Sequence, residues 1–350
     1  MRKAIDVSAL EKLREWSWRY SPTQSKTQDA EPEPFDLVPS SLRERPLALD
    51  DMIGQETLIN QLRMICAGSQ LRESPMPHCL LVGPAGHGKT TIASIISNEL
   101  GATLIATTGM TLQRNNDLVS ILMQCSGPTV LFIDEIHALR KSVMEVLYEA
   151  LEDNKVSTVV GTADDNVAYS HQLQDFVCIG ATTRPGLLTV PFRQRFGFHG
   201  TVEPYTYDEL ATIVARAWDR TDTEYDEDEP MELAMRCKGV PRRALHLADR
   251  VLDFCAVQGT NKVEDGMVSQ ALFLFGIDER GLDQDDHRIL NALCNTFGGR
   301  TVGIDTLAQF LNMDVKTVTE QHEPYLCQSA LMTRTKTGRM ALPGAYDLVG

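Results

Sequence analysis

The segment HCLLVGPAGHGKTTIASIISNEL, residues 78–100, carries the first residues whose types and spacing could do chemistry. Four of them fit the spacing G-x-x-x-x-G-K-[ST]: Gly83, Gly88, Lys89 and Thr90. In such a loop, glycines let backbone N–H groups surround phosphate oxygens, the lysine bridges the β- and γ-phosphates, and the hydroxyl binds Mg²⁺. The segment therefore predicts a site for a nucleoside triphosphate. A plain glycine turn is the alternative, and it leaves the lysine and threonine unexplained.

A second motif, TVLFIDEIHAL at residues 129–139, joins an apolar run to two carboxylates. The run from Val130 to Ile133 predicts a buried strand, so Asp134 and Glu135 would lie at the carboxyl edge of a sheet, where ligands bind in open α/β folds. There Asp134 would hold the Mg²⁺ shell and Glu135 would orient or deprotonate the attacking water. A solvated acidic pair is the ordinary alternative.

A third segment, residues 176–197, reads FVCIGATTRPGLLTVPFRQRFG. Its first residues predict another buried strand, which ends near Thr182 and Thr183, so a hydroxyl there could sense the γ-phosphate. Arg193 and Arg195 follow. Each is a candidate arginine finger for a neighbouring subunit or a surface ion-pair partner, and the spacing leaves both interpretations open.

A fourth segment, CKGVPRRALHLADR at residues 237–250, predicts a helix start. Gly239 and Pro241 would begin the helix, and Arg242 and Arg243 would lie in its first turn. An arginine there could reach the γ-phosphate from a lid, although this signal is weak when taken alone.

The elements needed to position these motifs follow from the order of apolar runs. From residue 42 to 205, strand-like and helical runs alternate, which predicts an α/β domain with a parallel sheet flanked by helices. Residues 206–276 read as a small helical domain. Residues 277–350 hold short helices, and LMTRTKTGRMAL predicts two short strands around a turn. Residues 1–41 read as a tail and linker, with an amphipathic helix or no structure over residues 2–20 as alternatives.

Composition narrows the class of protein. A length of 350 residues suits two or three domains, and without a long apolar segment or signal peptide we expect a soluble, cytoplasmic chain with no membrane contact. Eight scattered cysteines without a C-x-x-C pair predict reduced thiols. The net charge of −15 argues against general adhesion to nucleic acid, so any DNA contact must be local. The best candidate is the cluster of Arg334, Lys336 and Arg339, which lies in a span free of acidic residues.

Taken together, the motifs of residues 42–350 resemble the RuvB family, the AAA+ motors of Holliday-junction branch migration. The resemblance rests on the order of RP, IGQ, GPAGHGKTT, LFIDEIH, LYEALED, IGATTR, FRQRFG and GVPR, and on EPYL (323–326) and TRTKTGRMA (333–341). The last two motifs distinguish the family from clamp loaders. The resemblance implies an AAA+ P-loop domain, a helical lid and a C-terminal winged-helix domain.

It also implies individual roles. Glu44 and Arg45 would line the adenine side of ATP, and the phosphates would be held by Gly86, Gly88, Lys89, Thr90 and Thr91. Thr90 and Asp134 would bind Mg²⁺, Glu135 would act on water, and Thr183 would be the first sensor. The nucleotide would also be bordered by Glu152, Asp153, Asn154, Tyr205 and the second sensor Arg242. Arg195, rather than Arg193, matches the finger that acts in trans, and Arg334 and Arg339 match arginines that touch DNA.

The implied function is an ATP-driven DNA translocase that forms a ring, hexameric by resemblance, on duplex DNA and four-way junctions. Two departures affect this prediction: His87 replaces an apolar residue in the phosphate loop, and TADDNVAYSHQLQDF stands where the family carries a basic hairpin that docks onto RuvA. Docking of a RuvA-like partner is therefore left open. Two alternatives also stay open: an AAA+ loader or remodeller of replication proteins, and an ATP switch or scaffold that assembles on DNA without translocating.

Overall fold

A computed structural model describes residues 45–160 and 167–349 of the chain, which form two compact units. Within the described ranges, the first unit comprises residues up to Glu209 together with Val240–Arg242. The second comprises Leu210–Gly239 and the residues from Arg243 onward. The predicted segment at residues 2–20 and the predicted nucleotide residue Glu44 lie outside the described residues.

The first unit is built on a five-stranded parallel sheet. Its strands are β1 (Cys79–Val82), β2 (Thr103–Thr108), β3 (Thr129–Asp134), β6 (Phe176–Thr182) and β7 (Phe198–Thr201), in the spatial order β2-β3-β6-β1-β7. Between β3 and β6 the chain forms an antiparallel hairpin of β4 (Lys155–Val160) and β5 (Val167–Gln172). The parallel sheet predicted for this part of the chain is confirmed.

Both faces of the three central strands, β1, β3 and β6, are buried, which explains why these strands are largely apolar. Successive side chains of a strand point to opposite faces. Leu131 and Ile133 accordingly join one apolar cluster, and Val130 and Phe132 join the other. The helices that cover the sheet are α1 (Glu56–Leu71), α2 (Lys89–Glu99), α3 (Asn115–Leu122), α4 (Lys141–Asp153) and the short α5 (Val190–Arg193). The burial of two faces fixes the sheet as the rigid frame of this unit.

The second unit is mainly helical. Its helices are α6 (Tyr207–Asp219), α7 (Glu229–Met235), α8 (Pro241–Gln258), α9 (Met267–Leu274), α10 (Gln284–Asn291), α11 (Ile304–Leu311), α12 (Glu323–Gln328) and α13 (Pro343–Val349), of which α6 and α8 begin within the first unit. A two-residue parallel ladder pairs β8 (Glu224–Tyr225) with β9 (Lys262–Val263). The predicted hairpin is present as β10 (Met332–Thr335) and β11 (Gly338–Ala341).

The cysteine thiols of the described chain are mostly buried. All eight cysteines lie in the described part of the chain, none is paired, and seven are buried. Burial raises the pKa of the Cys79 thiol to about 12 and that of Cys66 to about 11, which keeps both protonated and unreactive at neutral pH. Among the described helices, none has the length and apolarity needed to cross a membrane.

Candidate active site

Three neighbouring strands bring the sequence motifs to one edge of the sheet. In the order β3-β6-β1, all three strands run parallel, so their carboxyl ends lie side by side. The phosphate loop follows β1. Thr182 is the last residue of β6 and Thr183 follows it, and Asp134 is the last residue of β3 and Glu135 follows it. This edge is where parallel α/β sheets bind ligands. The sheet order therefore assembles residues that lie up to a hundred positions apart in the sequence.

The phosphate loop depends on two glycines. Gly86 and Gly88 have φ values of 79° and 94°, which residues with a side chain rarely adopt. A methyl group on Gly86 would also lie 2.9 Å from a methyl carbon of Val240, so the position has no room for a larger residue. Gly88 is the N-terminal cap of α2, whose first turn carries Lys89, Thr90 and Thr91. The free backbone N–H groups of such a turn favour an anion.

Lys89 is buried beneath this loop with 6% of its surface exposed. Its ammonium donates hydrogen bonds to the carbonyl oxygens of Gly83 and Pro84, each at 2.8 Å. Burial lowers its pKa, and the nearby carboxylates of Glu135 and Asp134 act in the opposite direction. The ammonium therefore lies within the electrostatic reach of both acidic residues.

The carboxylate of Glu135 accepts two hydrogen bonds from Thr183 and lies beside a histidine. Its Oε2 accepts from the hydroxyl of Thr183 at 3.1 Å and from the Thr183 backbone N–H at 3.4 Å. Nδ1 of His137 lies 3.1 Å from the same oxygen. His137 was missed as a site residue by sequence reasoning, although it stands two positions after Glu135 in the quoted motif. Its contact with Thr182 depends on β6, which the local sequence does not reveal.

Tyr205 closes one side of the phosphate loop. It is buried, and a methyl group on Gly88 would lie 3.7 Å from its hydroxyl oxygen. Its ring lies 6.3 Å from the ring of His87, centroid to centroid. Burial, with the charge of Glu209, raises the pKa of Tyr205 to about 12, so the hydroxyl stays protonated. His87 is also buried, and its Nδ1 contacts the Ala85 carbonyl oxygen at 2.9 Å, so it packs within the loop.

Arg242 also approaches the loop. Its backbone N–H donates to the Gly86 carbonyl oxygen at 3.3 Å, and its side chain is exposed. The helix start predicted at Pro241 is observed, since α8 begins there. Arg45 is exposed at the beginning of the described chain. The structure thus brings Gly86, Lys89, Asp134, Glu135, Thr183, Tyr205 and Arg242 into one region.

Arg195 lies at the opposite edge of the sheet. It stands shortly before β7, whose first residue Phe198 pairs with Cys79 at the start of β1, whereas the phosphate loop follows the end of β1. The length of β1 separates the two edges by about 13 Å. The Arg195 guanidinium donates to Glu152 Oε2 at 2.7 Å and to the Tyr148 hydroxyl, and it stacks on the Tyr148 ring. It is therefore remote from its own phosphate loop.

The predicted group of Glu152, Asp153 and Asn154 lies away from that loop as well. Glu152 is the partner of Arg195, and the side chain of Asn154 donates to Asp175, just before β6. Thr182, at the other end of β6, is about 20 Å away along a strand of this length. These residues belong with Arg195, because the direction of the parallel strands places the end of α4 at the amino edge.

The β10–β11 hairpin presents the predicted DNA-binding arginines as a cross-strand pair, Arg334 opposite Arg339. Both donate to the carboxylate of Glu323, which is fully buried at the start of α12. Arg339 Nη2 bonds Glu323 Oε2 at 3.1 Å, and Arg334 bonds Glu323 Oε1 through Nε. The side chain of Arg334 is 57% exposed and that of Arg339 is 19% exposed. Sequence reasoning missed this shared acid, which lies in the EPYL motif.

A second charged cluster lies in the same unit. Asp283, Asp286 and His322 converge closely enough to hold a cation, but the ammonium of Lys238 already bonds both aspartates. Burial would raise the pKa of Asp286, yet hydrogen bonds from His322 and Lys238 and the charge of Lys238 outweigh it and hold that pKa well below its usual range. The cluster is an internal ion network that fixes Lys238, directly before Gly239, to helix α10.

The parallel sheet, the phosphate loop and the acidic pair at the neighbouring strand end define a P-loop ATPase of the AAA+ class. Models of known families match three consecutive parts of the chain: the Holliday junction DNA helicase RuvB P-loop domain at residues 44–202, the RuvB AAA lid domain at 205–278 and the RuvB C-terminal winged helix domain at 279–350. The chain belongs to the RuvB family, and so carries a nucleotide-binding ATPase domain, a helical lid and a winged-helix domain.

Individual relatives agree with this assignment. The Holliday junction branch migration complex subunits RuvB of Streptococcus pneumoniae and Thermosipho melanesiensis are each 40% identical, over 90% and 86% of this chain and 94% and 96% of their own. The structure of the Thermotoga maritima RuvB Holliday junction branch migration motor is similar with a TM-score of 0.78 at 37% identity, over 87% of this chain and 97% of that one. A point mutant of the same protein gives a TM-score of 0.80 at 36% identity, over 87% and 98%.

Proposed function

We propose that this protein is an ATP-driven DNA translocase that promotes branch migration of Holliday junctions in recombination and repair. The observation that carries the proposal is the match of all three RuvB domains, in order, over residues 44–350. A loader of replication proteins would share the P-loop domain but would not need this C-terminal domain. Relatives that the chain covers almost completely are named as branch migration subunits.

Nucleotide binding would use the groups around the phosphate loop. Lys89 would leave the two loop carbonyls and contact the β- and γ-phosphates, while the N–H groups of the α2 first turn, including Thr90 and Thr91, would bind the phosphate oxygens. Tyr205 and Arg45, with Glu44, would border the base and sugar. Arg242, whose backbone bonds the loop, would extend its exposed side chain toward the γ-phosphate.

A magnesium ion fits the groups present. The hydroxyl of Thr90 and the carboxylate of Asp134 are oxygen donors of the kind that Mg²⁺ prefers, and Mg²⁺ commonly takes only one or two protein ligands beside the phosphates. When bound, the ion would neutralise charge on the β- and γ-phosphates. The half-buried Asp134 is preorganised, since its Oδ1 accepts from the Glu135 N–H at 3.0 Å.

Hydrolysis would depend on Glu135 and Thr183. Glu135 would orient the attacking water and accept its proton, and Thr183 would sense the γ-phosphate through its hydroxyl. The same hydroxyl donates to Glu135 in this structure. A hydroxyl has one proton to donate, so Thr183 could donate either to Glu135 or to the phosphate. Binding of ATP would therefore change how Glu135 is held.

Arg195 would complete the site of a neighbouring subunit. It lies at the sheet edge opposite its own phosphate loop, so it suits a finger that acts in trans, and Glu152 and Tyr148 would hold it in place. Asp153 and Asn154 would border the same neighbouring nucleotide. A closed ring follows from such a head-to-tail interface, and the resemblance favours six subunits.

DNA would be bound through its phosphates. Arg334 and Arg339 lie on a hairpin without acidic residues of its own, and Lys336 at its tip is exposed. Phosphate contacts bind duplexes of any sequence, which suits a motor that travels along DNA. A junction-binding partner of the RuvA type would supply junction specificity, and the β4–β5 hairpin is its candidate docking element.

A single assay tests the proposed function. A synthetic four-way junction with long homologous arms should be converted to duplex products in the presence of ATP and Mg²⁺. The reaction should fail with a non-hydrolysable ATP analogue and with the Lys89→Ala variant. Running it with and without a RuvA-type protein measures the dependence on that partner. If the protein binds the junction and hydrolyses ATP but never migrates it under either condition, the proposed translocase is wrong and a switch or scaffold takes its place.

A further inference from the structure

Glu135 shares its carboxylate oxygen with a histidine that no phosphate or metal role accounts for. His137 lies in a short 3₁₀ turn, Ile136–Ala138, directly after the acidic pair. Its side chain is 13% exposed. Its Nδ1 lies 2.9 Å from the Thr182 hydroxyl oxygen and 3.1 Å from Glu135 Oε2. One nitrogen atom therefore joins the end of β6 to the carboxylate proposed to act on water.

A proton on Nδ1 suits the two oxygens that face this nitrogen. An ionised carboxylate can only accept a hydrogen bond, so a favourable contact with Glu135 requires Nδ1 to carry a proton. The Thr182 hydroxyl oxygen has lone pairs to accept from the same N–H, and it already accepts from the Arg184 backbone N–H at 3.0 Å. With its proton on Nδ1, His137 donates to the Thr182 hydroxyl oxygen and presents the same N–H to Glu135 Oε2, which lies 3.1 Å away.

The backbone shows why such support is needed. Glu135 has a φ of 46°, in the left-handed region that residues other than glycine and asparagine rarely adopt. Its side chain thus leaves an unusual backbone position at a strand end, and a long glutamate side chain there has several rotamers available. His137 and Thr183 hold one oxygen of the carboxylate, which selects among these rotamers.

We infer that His137 is a positioning residue for ATP hydrolysis, which orients the Glu135 carboxylate through an Nδ1–H shared with Thr182. The inference rests on the proposed role of Glu135. Because Thr183 would turn its hydroxyl toward the γ-phosphate when ATP binds, His137 would remain beside the long backbone N–H contact of Thr183 as the side chain that keeps Glu135 aligned at that stage. Its effect therefore belongs to the chemical step and not to nucleotide affinity.

His137→Ala should lower kcat for ATP about tenfold to a hundredfold, the range expected for losing one hydrogen bond to a charged group. KM for ATP and the affinity for a fluorescent ATP analogue should change less than about twofold, since His137 touches neither the loop nor Lys89. His137→Asn, whose amide nitrogen can stand near the position of Nδ1, should recover a large part of kcat. His246→Ala, at an exposed histidine of α8, is the matched control and should retain normal turnover.

The turnover of the Glu135→Gln and His137→Ala variants tests the role of Glu135 separately from the role of His137. If Glu135→Gln keeps near-normal turnover, the proposed role of Glu135 is wrong, whatever His137 does. If Glu135→Gln is inactive while His137→Ala keeps normal kcat, or loses only affinity, the positioning role is overturned. A loss of kcat in His137→Ala that Asn does not restore, with a lowered melting temperature in both, would show a purely structural role and would also overturn it. Thr182→Val, which removes the second acceptor, should reproduce a milder kcat loss.

Discussion

Lys89 gives up most of its hydration to lie beneath the phosphate loop, and two backbone carbonyls replace the lost water. Burial lowers its pKa while two carboxylates oppose that effect. Its neighbours Asp134 and Glu135 have different surroundings: the first is held by a backbone N–H and the second by side chains. Lys89, Asp134 and Glu135 thus lie in one region but have different hydrogen-bond partners. Substituting them one at a time should therefore affect different steps of ATP binding and hydrolysis.

Lys89→Ala and Glu135→Gln should fail at different steps. Without Lys89 the phosphates lose the ammonium group that would bind them. Binding of a fluorescent ATP analogue should therefore weaken by more than about tenfold. Glu135→Gln should bind ATP normally and lose about a hundredfold or more in turnover, because only the group that acts on water is removed. Titration and steady-state hydrolysis measure the two effects. Normal turnover in Glu135→Gln would contradict the catalytic assignment.

The β10–β11 hairpin combines two arginines that stand opposite one another and would repel each other without a partner. Glu323 at the start of α12 supplies the charge that allows this pair, and it holds Arg334 by Nε. The terminal nitrogens of Arg334 then extend toward solvent, since its side chain is largely exposed. The helix thereby fixes the direction of a group on the hairpin.

Arg334→Ala and Arg339→Ala should each weaken binding of duplex DNA equally on unrelated sequences. Each should reduce the slope of log K against log salt by about 0.9, the value for one phosphate contact. Nucleotide binding should stay normal. Fluorescence anisotropy at several salt concentrations measures all of these quantities. Unchanged affinity and slope in both variants, with binding lost when residues 1–41 are deleted, would assign DNA binding to the N-terminal segment.

The Glu323→Gln variant tests whether Glu323 orients the two arginines, because the two alternatives predict opposite changes in the affinity for DNA. Removing a negative charge beside two arginines should strengthen DNA binding if charge alone matters. We expect the opposite, a loss of about tenfold, because the carboxylate orients Arg334 and Arg339. Asp347→Asn, an exposed acid of α13, makes the same change of charge and should not weaken binding. Tighter binding by Glu323→Gln in a variant of normal melting temperature would exclude the orienting role.

The network of Lys238, Asp283, Asp286 and His322 predicts a pH-dependent stability. The pKa of Asp286 is lowered in the folded state, so its contribution is present above the unfolded pKa of about 4 and is lost as the pH falls toward the folded value. Asp286→Asn should cost about 3 kcal/mol at pH 7, and the difference from the unmodified chain should shrink below about pH 4. Urea unfolding at a series of pH values measures it, with the half-buried Asp285→Asn as control.

On the proposed role of Arg195, a complete nucleotide site would take residues from two subunits. Arg195 and the phosphate loop lie at opposite edges of one sheet. Glu152 lies at the same edge as Arg195 and forms an ion pair with it. Such a chain would carry one half of the proposed composite site at each edge. Head-to-tail association would join the two halves and would close into a ring when the rotation permits.

Mixing Arg195→Ala with Lys89→Ala should therefore restore ATPase activity that neither variant has alone. In randomly mixed rings at equal amounts, about a quarter of the interfaces would combine an intact loop with an intact arginine. Activity should approach that fraction of normal if the sites work independently. Arg195→Ala by itself should still bind nucleotide. Mixed rings verified by native mass spectrometry that show no recovery would contradict a finger acting in trans.

Local patterns in the sequence were enough to predict the phosphate loop, the strand before Asp134, the helix start at Pro241 and the β10–β11 hairpin. Each of these depends on apolar runs, glycines and turn residues that lie close together in the chain. The order of the motifs also identified the family, because the family's motifs occur in the expected order along the chain. The strand, the helix start and the hairpin are present in the structure, because the interactions that specify them are short-range.

What only the tertiary structure decided depends on which strands are neighbours and in which direction they run. The contacts of Glu135 with Thr183 and of His137 with Thr182 arise because β6 lies beside β3. Arg195 is remote from its own loop because β7 runs parallel to β1. The shared Glu323 required α12 to pack under a hairpin that follows it in sequence. Such contacts join residues far apart along the chain, and local periodicity carries no information about them.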